Sequence, residues 1–308
     1  MKDFRAFVCN FAKKAVLLYS KTKPTDPTTM STIRFTKMHG AGNDYIYVNA
    51  MDYPLSNPQQ LAISWSDRHK GIGSDGLIMI DRSETADFKM RMFNNDGSEG
   101  IMCGNGVRCI GKYVYDHRLT TSTTVTLETL GGIKTLQLFV GNDNMVEKVR
   151  VDMGKPILAD KNQLANNNGA MKMGIVSVGG KDYVGTFVSM GNPHFVIFTD
   201  NINDINLAEE GSRLERHPIF PQRCNIEFAE QRPGNVFRTR VWERGTGITQ
   251  ACGTGACATA VAAIINSKAS DRATIAMDGG DLEIEWNGND NLFMTGPAAT
   301  VFEGEIEI

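Results

Sequence analysis

Two cysteines of this 308-residue chain lie in near-identical surroundings, Met102-Cys103-Gly104-Asn105-Gly106 and Ala251-Cys252-Gly253-Thr254-Gly255. A helix-forming stretch follows each Gly-x-Gly, which puts each sulfur beside unpaired backbone N–H groups and the positive end of a helix dipole. Such a position is expected to lower a thiol pKa, and the same N–H groups can hold a carboxylate. Two thiols facing one site permit a reaction that one thiol does not. One thiolate removes a proton while the opposite thiol returns one to the other face, and a stereocentre is inverted. The α-hydrogen of an amino acid is very weakly acidic, so charge developing on its carboxylate must be stabilised. Two converging helix N-termini can do this without a metal or pyridoxal phosphate, each good donor contributing on the order of 3 kcal/mol. The plainer reading, glycines for close packing and cysteine as a small filler, suits one motif better than two at matched places.

The matching extends upstream. Asn94 and Glu243 each precede their cysteine by nine positions, Gly76 and Asn225 by 27, and Asn43 and Asn192 by 60. A duplicated domain explains these offsets. The asparagines supply donors and acceptors, and Glu243-Arg244 supplies an anion beside a cation, a set suited to a zwitterion. For any one asparagine a turn or cap is an equally good reading. His194, after Asn192-Pro193, can tune a thiol or serve as a loop residue.

The elements that must position these residues are mostly strands. Alternating runs fall at 87–93, 125–130, 136–140, 146–152, 183–189, 195–199, 225–229 and 237–242, with hairpin turns at Gly131-Gly132 and Gly279-Gly280. Helices are expected over 57–69, opened by Asn57-Pro58, and over 206–215, 107–115 and 256–265. The last is apolar on every face and should be buried. The pattern predicts an α+β fold in which a curved sheet wraps a central helix, twice.

Composition narrows the function. Hydrophobic residues at 41%, charged residues at 22% and a net charge of -3 describe a globular protein without a nucleic-acid-binding patch. No apolar run approaches the roughly 20 residues that cross a bilayer. The expected partner is a small molecule in the cytoplasm, and a homodimer is left open. Residues 1–30 carry six Lys or Arg against Asp3 and Asp26, and Lys13-Lys14 break their apolar stretch; residues 1–31 are set apart as a leader, disordered or not native. Six cysteines without Cys-x-x-Cys or His-x-x-x-His spacing argue against a disulfide scaffold and a zinc site. Cys109 and Cys257 are expected to be packing residues, while Cys9 and Cys224 carry no local signal. Gly71-Ile-Gly-Ser-Asp-Gly76 matches the dinucleotide fingerprint as text, but it follows a helix and enters a strand, the reverse of what pyrophosphate binding requires; it reads as a turn lining the site.

Five segments, in order, carry a resemblance: 35–44 (Phe-Thr-Lys-Met-His-Gly-Ala-Gly-Asn-Asp), 93–99 (Phe-Asn-Asn-Asp-Gly-Ser-Glu), 102–109 (Met-Cys-Gly-Asn-Gly-Val-Arg-Cys), 190–194 (Met-Gly-Asn-Pro-His) and 242–255, from Trp-Glu-Arg-Gly to Thr-Gln-Ala-Cys-Gly-Thr-Gly. From about residue 33 to the C-terminus the chain resembles the diaminopimelate epimerases. The resemblance implies a cofactor-independent isomerase that interconverts L,L- and meso-diaminopimelate in lysine and cell-wall biosynthesis. It implies two pseudo-symmetric, barrel-like domains with the active site between them: 32–149 together with a returning C-terminal strand, 295–308, and 150–294. By the same resemblance Cys103 is the proton donor and Cys252 the acceptor in the L,L to meso direction, with His194 and Glu243 tuning the thiols. Substrate binding would fall to Asn43, Asn94, Gly104, Asn105, Asn192, Asn225, Glu243, Arg244, Gly253 and Thr254. No metal and no cofactor is expected. Where some members have a substrate-contacting glutamine this chain has Gly76, which rules out a side-chain contact there.

Three other readings compete. Proline racemase-like enzymes share the fold but typically read Cys-Gly-His-Gly in the first motif, where this chain has Asn105. A thiol switch would use the same cysteines as a redox pair. A non-catalytic amino-acid-binding protein would tolerate serine at either cysteine.

Overall fold

The computed structural model describes residues 32–308, and the leader and Cys9 lie outside the described residues. The order of elements is written twice. The first pass runs β1 (Thr32–Gly40), β2 (Asn43–Asn49), α1 (Pro58–Ser66), β3 (Gly76–Asp81), β4 (Phe88–Asn94), β5 (Glu99–Gly100), α2 (Gly104–Asp116), β6 (Thr124–Thr129), β7 (Gly132–Val140) and β8 (Val146–Gly154). After β9 (Gly174–Val178), the second runs β10 (Lys181–Ser189), β11 (Pro193–Phe198), α3 (Leu207–Glu215), β12 (Asn225–Arg232), β13 (Val236–Glu243), β14 (Gly247–Thr249), α4 (Gly253–Ile265), β15 (Arg272–Met277), β16 (Gly280–Glu285) and β17 (Leu292–Pro297). The strand β18 (Ala299–Glu307) closes the chain.

Pairing repeats with the order. β2 and β3 are parallel, as are β11 and β12, and β4 lies parallel to β6 as β13 does to β15. The remaining neighbours within each pass are antiparallel, including β6–β7–β8 and β15–β16–β17. One antiparallel ladder, β8 to β17, joins the two passes into a mixed sheet. The fold is α+β. By compactness Arg34–Gly304 forms one unit, which holds all the site residues; Thr32, Ile33 and Glu305–Ile308 fall in a separate small unit.

Hairpins form where the glycine pairs predict them. Thr129 pairs with Gly132 across Leu130-Gly131, and Met277 with Gly280 across Asp278-Gly279. The helices differ from expectation at their ends. α2 and α4 begin at Gly104 and Gly253, three residues before the predicted starts, because the Gly-x-Gly is the first helical turn and not a turn ahead of it. α1 stops at Ser66, short of residue 69, where the Asp67 carboxylate accepts from the N–H groups of His69 and Lys70 and turns the chain away. Asn57 does not cap α1 with its side chain; it adopts the left-handed conformation at φ 56° instead.

Burial follows composition. α4 is enclosed by β10 to β13, β15 and β16, and Ala256, Cys257, Ala258, Ala260, Val261 and Ala262 are fully buried. The buried residues of α2 and α4 belong to one contiguous core with strands of both passes, and a satellite core under α3 holds Phe187, Phe195, Leu207, Leu214 and Phe228. Cys109, Cys224 and Cys257 are fully buried, as packing residues should be. The segment 71–76 joins α1 to β3, helix then strand, so the dinucleotide reading fails on topology.

Candidate active site

Cys103 and Cys252 are the N-cap residues of α2 and α4, at φ/ψ of -127°/115° and -122°/112°. Each sulfur accepts from the third helical N–H: Gly106 at 3.4 Å and Gly255 at 3.3 Å. Glycine is required here by space. A Cβ on Gly106 would stand 2.7 Å from Ile78 Cδ1, and one on Gly255 would stand 2.7 Å from Glu227 Oε1 and 3.3 Å from the Cys252 sulfur. The helix starts also meet. A Cβ on Gly104 would lie 2.9 Å from Met294 Cε, and one on Gly253 would lie 3.4 Å from Met294 Sδ and 3.6 Å from Asn105 Oδ1.

The matched polar residues stand at strand ends: Asn43, Gly76 and Asn225 open β2, β3 and β12, Asn192 immediately precedes β11, and Asn94 and Glu243 close β4 and β13. Backbone order thus gathers residues that sequence separates by up to 62 positions. The Cys103 thiol donates to Asn43 Oδ1 at 3.2 Å, and Asn105 Nδ2 reaches the same oxygen at 3.5 Å. In the second pass Thr254 Oγ1 lies 3.5 Å from the Cys252 sulfur and accepts from Asn192 Nδ2 at 3.3 Å. Asn192 Oδ1 meets His194 Nε2 at 3.2 Å. Asn225 is held by the Pro193 carbonyl and the Arg244 N–H, at 2.8 and 2.9 Å. Asn94 bonds to Ser98 in its own turn, and the Arg244 guanidinium to the Gln222 carbonyl; neither bonds to a cysteine motif among the described residues.

A family model described as diaminopimelate epimerase matches residues 35–159 and 186–301. The chain belongs to that family. It is 57% identical over 279 residues to the diaminopimelate epimerase of Phocaeicola vulgatus, covering 90% of this chain and 99% of that one. It is 50% identical over 281 residues to that of Methanococcus maripaludis strain C6, covering 90% and 100%. Among solved structures, a Bacillus anthracis phenazine biosynthesis protein of the PhzF family superposes with TM-score 0.67 at 17% identity, covering 91% of this chain and 100% of that one. A hydroxyproline epimerase from Agrobacterium vitis gives 0.65 at 13%, covering 90% and 93%. At those identities the likeness shows the fold alone.

In this diaminopimelate epimerase family member the thiols depart from expectation. Burial pushes the Cys103 thiol up, against the lowering N–H groups of Gly106 and Asn105 and the charge of Arg108, while Glu243 pushes it further up. Burial pushes Cys252 well up, reinforced by the charges of Glu243 and Glu227 and opposed by Thr254 and the Gly255 N–H. The expected lowering is therefore corrected: helix donors act on both sulfurs, but lost hydration outweighs them without a bound ligand. Burial thus favours the protonated form of both thiols, and proton abstraction by either needs a local base. Glu243 is suited to that. Its carboxyl is raised above the usual range by burial and accepts from Thr249 at 2.5 Å, and its charge acts on the Cys252 thiol. The shared approach of Gly104 and Gly253 to Met294 places the two thiol-bearing helix starts around one locale.

Three supporting residues escaped the sequence reading. Asp75 accepts from Asn43 Nδ2 at 2.7 Å and so fixes the amide that faces Cys103; Arg68 bridges Asp75 and Asp44, and Lys37 pairs with Asp44 at 2.6 Å. Glu227 meets His194 Nδ1 at 2.7 Å in a fully buried pair, with Oε2 lacking a hydrogen-bond partner among the described residues. Arg108 is fully buried beside Asn105. Glu227 had a signal: it stands two residues after Asn225, hence on the same strand face, among apolar neighbours. The Gly104-Asn105-Gly106 and Gly253-Thr254-Gly255 helix starts, Asn43 and Glu243 supply donors and acceptors for a zwitterion, and the thiols supply a proton on either side.

Proposed function

We propose that this chain interconverts L,L- and meso-diaminopimelate without a cofactor, as the names of its relatives suggest. The reading rests on one observation above all: two cysteines at equivalent helix N-caps, whose first helical residues both lie against Met294. In the L,L to meso direction Cys252, after passing its proton to Glu243, takes the α-proton, and the Cys103 thiol gives its proton to the opposite face. The C–H bond electrons stay on the substrate as an enediolate until that second transfer. The substrate carboxylate would lie against the N–H groups at Gly104-Asn105 and Gly253-Thr254, with Asn43, Asn94, Asn192, Asn225 and Arg244 binding its amino and distal groups, and His194 completing the polar support of Cys252. We further propose residues 32–149 with 295–308, and 150–294, as the two domains, a small amino acid as the ligand, the cytoplasm as the place of work and a homodimer as the assembly. No helix among the described residues is long and apolar enough to cross a membrane.

The test is proton exchange followed by NMR in D₂O, with reduced protein, no added cofactor and L,L-diaminopimelate, and with proline and hydroxyproline in parallel. Loss of the α-proton signal with growth of the meso isomer, abolished in Cys103→Ala and Cys252→Ala, supports the reading. Exchange of proline or hydroxyproline alone overturns the substrate, and turnover surviving either cysteine substitution overturns the mechanism.

A further inference from the structure

Arg108 is a cation where cations are rarely found. It is fully buried on α2, and no carboxylate pairs with it among the described residues. A buried charge without a counter-ion is unfavourable unless its site is built for it. This one is built. The guanidinium folds back over its own helix start, donating from Nη1 to the Gly104 carbonyl at 3.4 Å and from Nη2 to Asn105 Oδ1 at 2.9 Å. It reaches into the second pass, donating from Nε to the Pro297 carbonyl at 3.2 Å and from Nη1 to Met294 Sδ at 3.6 Å. Two glycines clear its space: a Cβ on Gly40 would stand 3.0 Å from Nη2, and one on Gly296 would stand 3.1 Å from Nε. Met294 is also the residue wedged against both Gly104 and Gly253, so the guanidinium lies at the junction of the two cysteine-bearing helix starts.

The duplication makes the charge single. The place that Arg108 takes after Cys103 is taken after Cys252 by Cys257, small, neutral and fully buried. The guanidinium thus stands at the Cys103 helix start, and the matching position after Cys252 carries no charge. Its bond to Asn105 Oδ1 also leaves the amide Nδ2 aimed toward Asn43 and the Cys103 side.

The geometry points to Arg108 as the buried counter-charge of the reaction, a positioning residue that orients the Asn105 amide and balances the anionic charge that develops at the Cys103 thiol and on the substrate carboxylate beside it. The substrate half of this inference rests on the proposed epimerase reading. The electrostatic half does not, because it concerns the thiols of the ligand-free protein. The ionisable groups facing the guanidinium are Cys103 and Cys109 on α2, Tyr47 on β2 and Cys257 on α4. Those facing the Cys103 thiol are Arg108, Cys109, Tyr45, Tyr47 and Glu243. Among all of these Arg108 is the one cation.

The experiment measures the pH dependence of iodoacetamide alkylation at Cys103, resolved by peptide mass spectrometry, in wild type, Arg108→Met and Arg108→Lys. Methionine removes the charge at similar bulk; lysine restores charge but not the forked hydrogen bonds. The expected result is a midpoint about one pH unit higher in Arg108→Met and near wild type in Arg108→Lys. With diaminopimelate, kcat should fall about 100-fold in Arg108→Met, more than KM rises, and recover in part in Arg108→Lys. Should Arg108→Met not fold, Cys257→Asp neutralises the guanidinium in place, with Cys257→Asn as the uncharged control, and only the aspartate should raise the midpoint. An unchanged midpoint in the charge-removing or charge-neutralising variant overturns the inference, as does an equal shift in Arg108→Lys. If wild type turns over no diaminopimelate, the substrate assignment fails while the alkylation series still decides the role of Arg108.

Discussion

At the scale of the residue, the site works against its own burial. A buried thiol resists ionisation, and a carboxylate beside it resists it more. Replacing Glu243 with glutamine should therefore have two opposite effects. Removing the negative charge lowers the Cys252 thiol pKa, so the midpoint of its alkylation by iodoacetamide moves to lower pH. Removing the proton acceptor slows epimerisation, by about 10² to 10⁴ in kcat for lost general-base assistance. A midpoint that moves upward instead would mean that Glu243 does not carry its charge toward Cys252. Residues of this kind were only partly legible. The cysteines, the asparagines and Glu243 could be read because duplication fixes their offsets, a signal that needs no structure. Asp75 and Arg108 could not, because their partners, Asn43 and the Pro297 carbonyl, are brought to them by the fold, and Glu227, whose place two residues after Asn225 was a signal, meets His194 only there.

At the scale of the element, both helix starts use glycine for clearance, but the neighbours differ in how far they can give. At Gly255 an added Cβ meets Glu227 Oε1 at 2.7 Å, the end of a side chain pinned by His194. At Gly104 it meets Met294 Cε at 2.9 Å, the free end of a flexible chain. Gly255→Ala should thus cost about 1–3 kcal/mol of stability by overpacking, whereas Gly104→Ala should stay within about 1 kcal/mol of wild type, since helix propensity there favours alanine. Urea unfolding of the two variants decides it; equal costs would show that clearance is not what glycine supplies. The helix starts were misjudged from sequence by three residues for the same reason. Gly-x-Gly reads as a turn by propensity, but here neither glycine of either motif needs a positive φ, and both lie inside the helix. Strands were easier, because alternation on a half-buried sheet survives tertiary context better than a helix boundary does.

At the scale of the molecule, duplication suggested two cores, yet the buried apolar residues around α2 and α4 form a single cluster with strands from both passes. The β8–β17 ladder carries the sheet across, flanked by the half-buried Arg150–Glu285 pair and by Lys148–Glu283, which is too exposed to add much. Chains of this length usually unfold through intermediates. The shared core predicts the opposite for the described residues. Tryptophan reports on each half separately, since Trp65 sits in α1 while Trp286, which is buried, follows β16. Single-tryptophan variants retaining only Trp65 or only Trp286 should give the same urea midpoint, coincident with the loss of far-ultraviolet circular dichroism. Two separated midpoints would show that each repeat keeps a core of its own. The contact of Met294 with both helix starts would then be an interface between independently stable lobes. Coincident midpoints would instead tie the geometry of both thiols to the same cooperative unit, so that a substitution such as Met294→Ala, expected to cost about 2–5 kcal/mol through its cavity, would lower the midpoint read by either tryptophan equally.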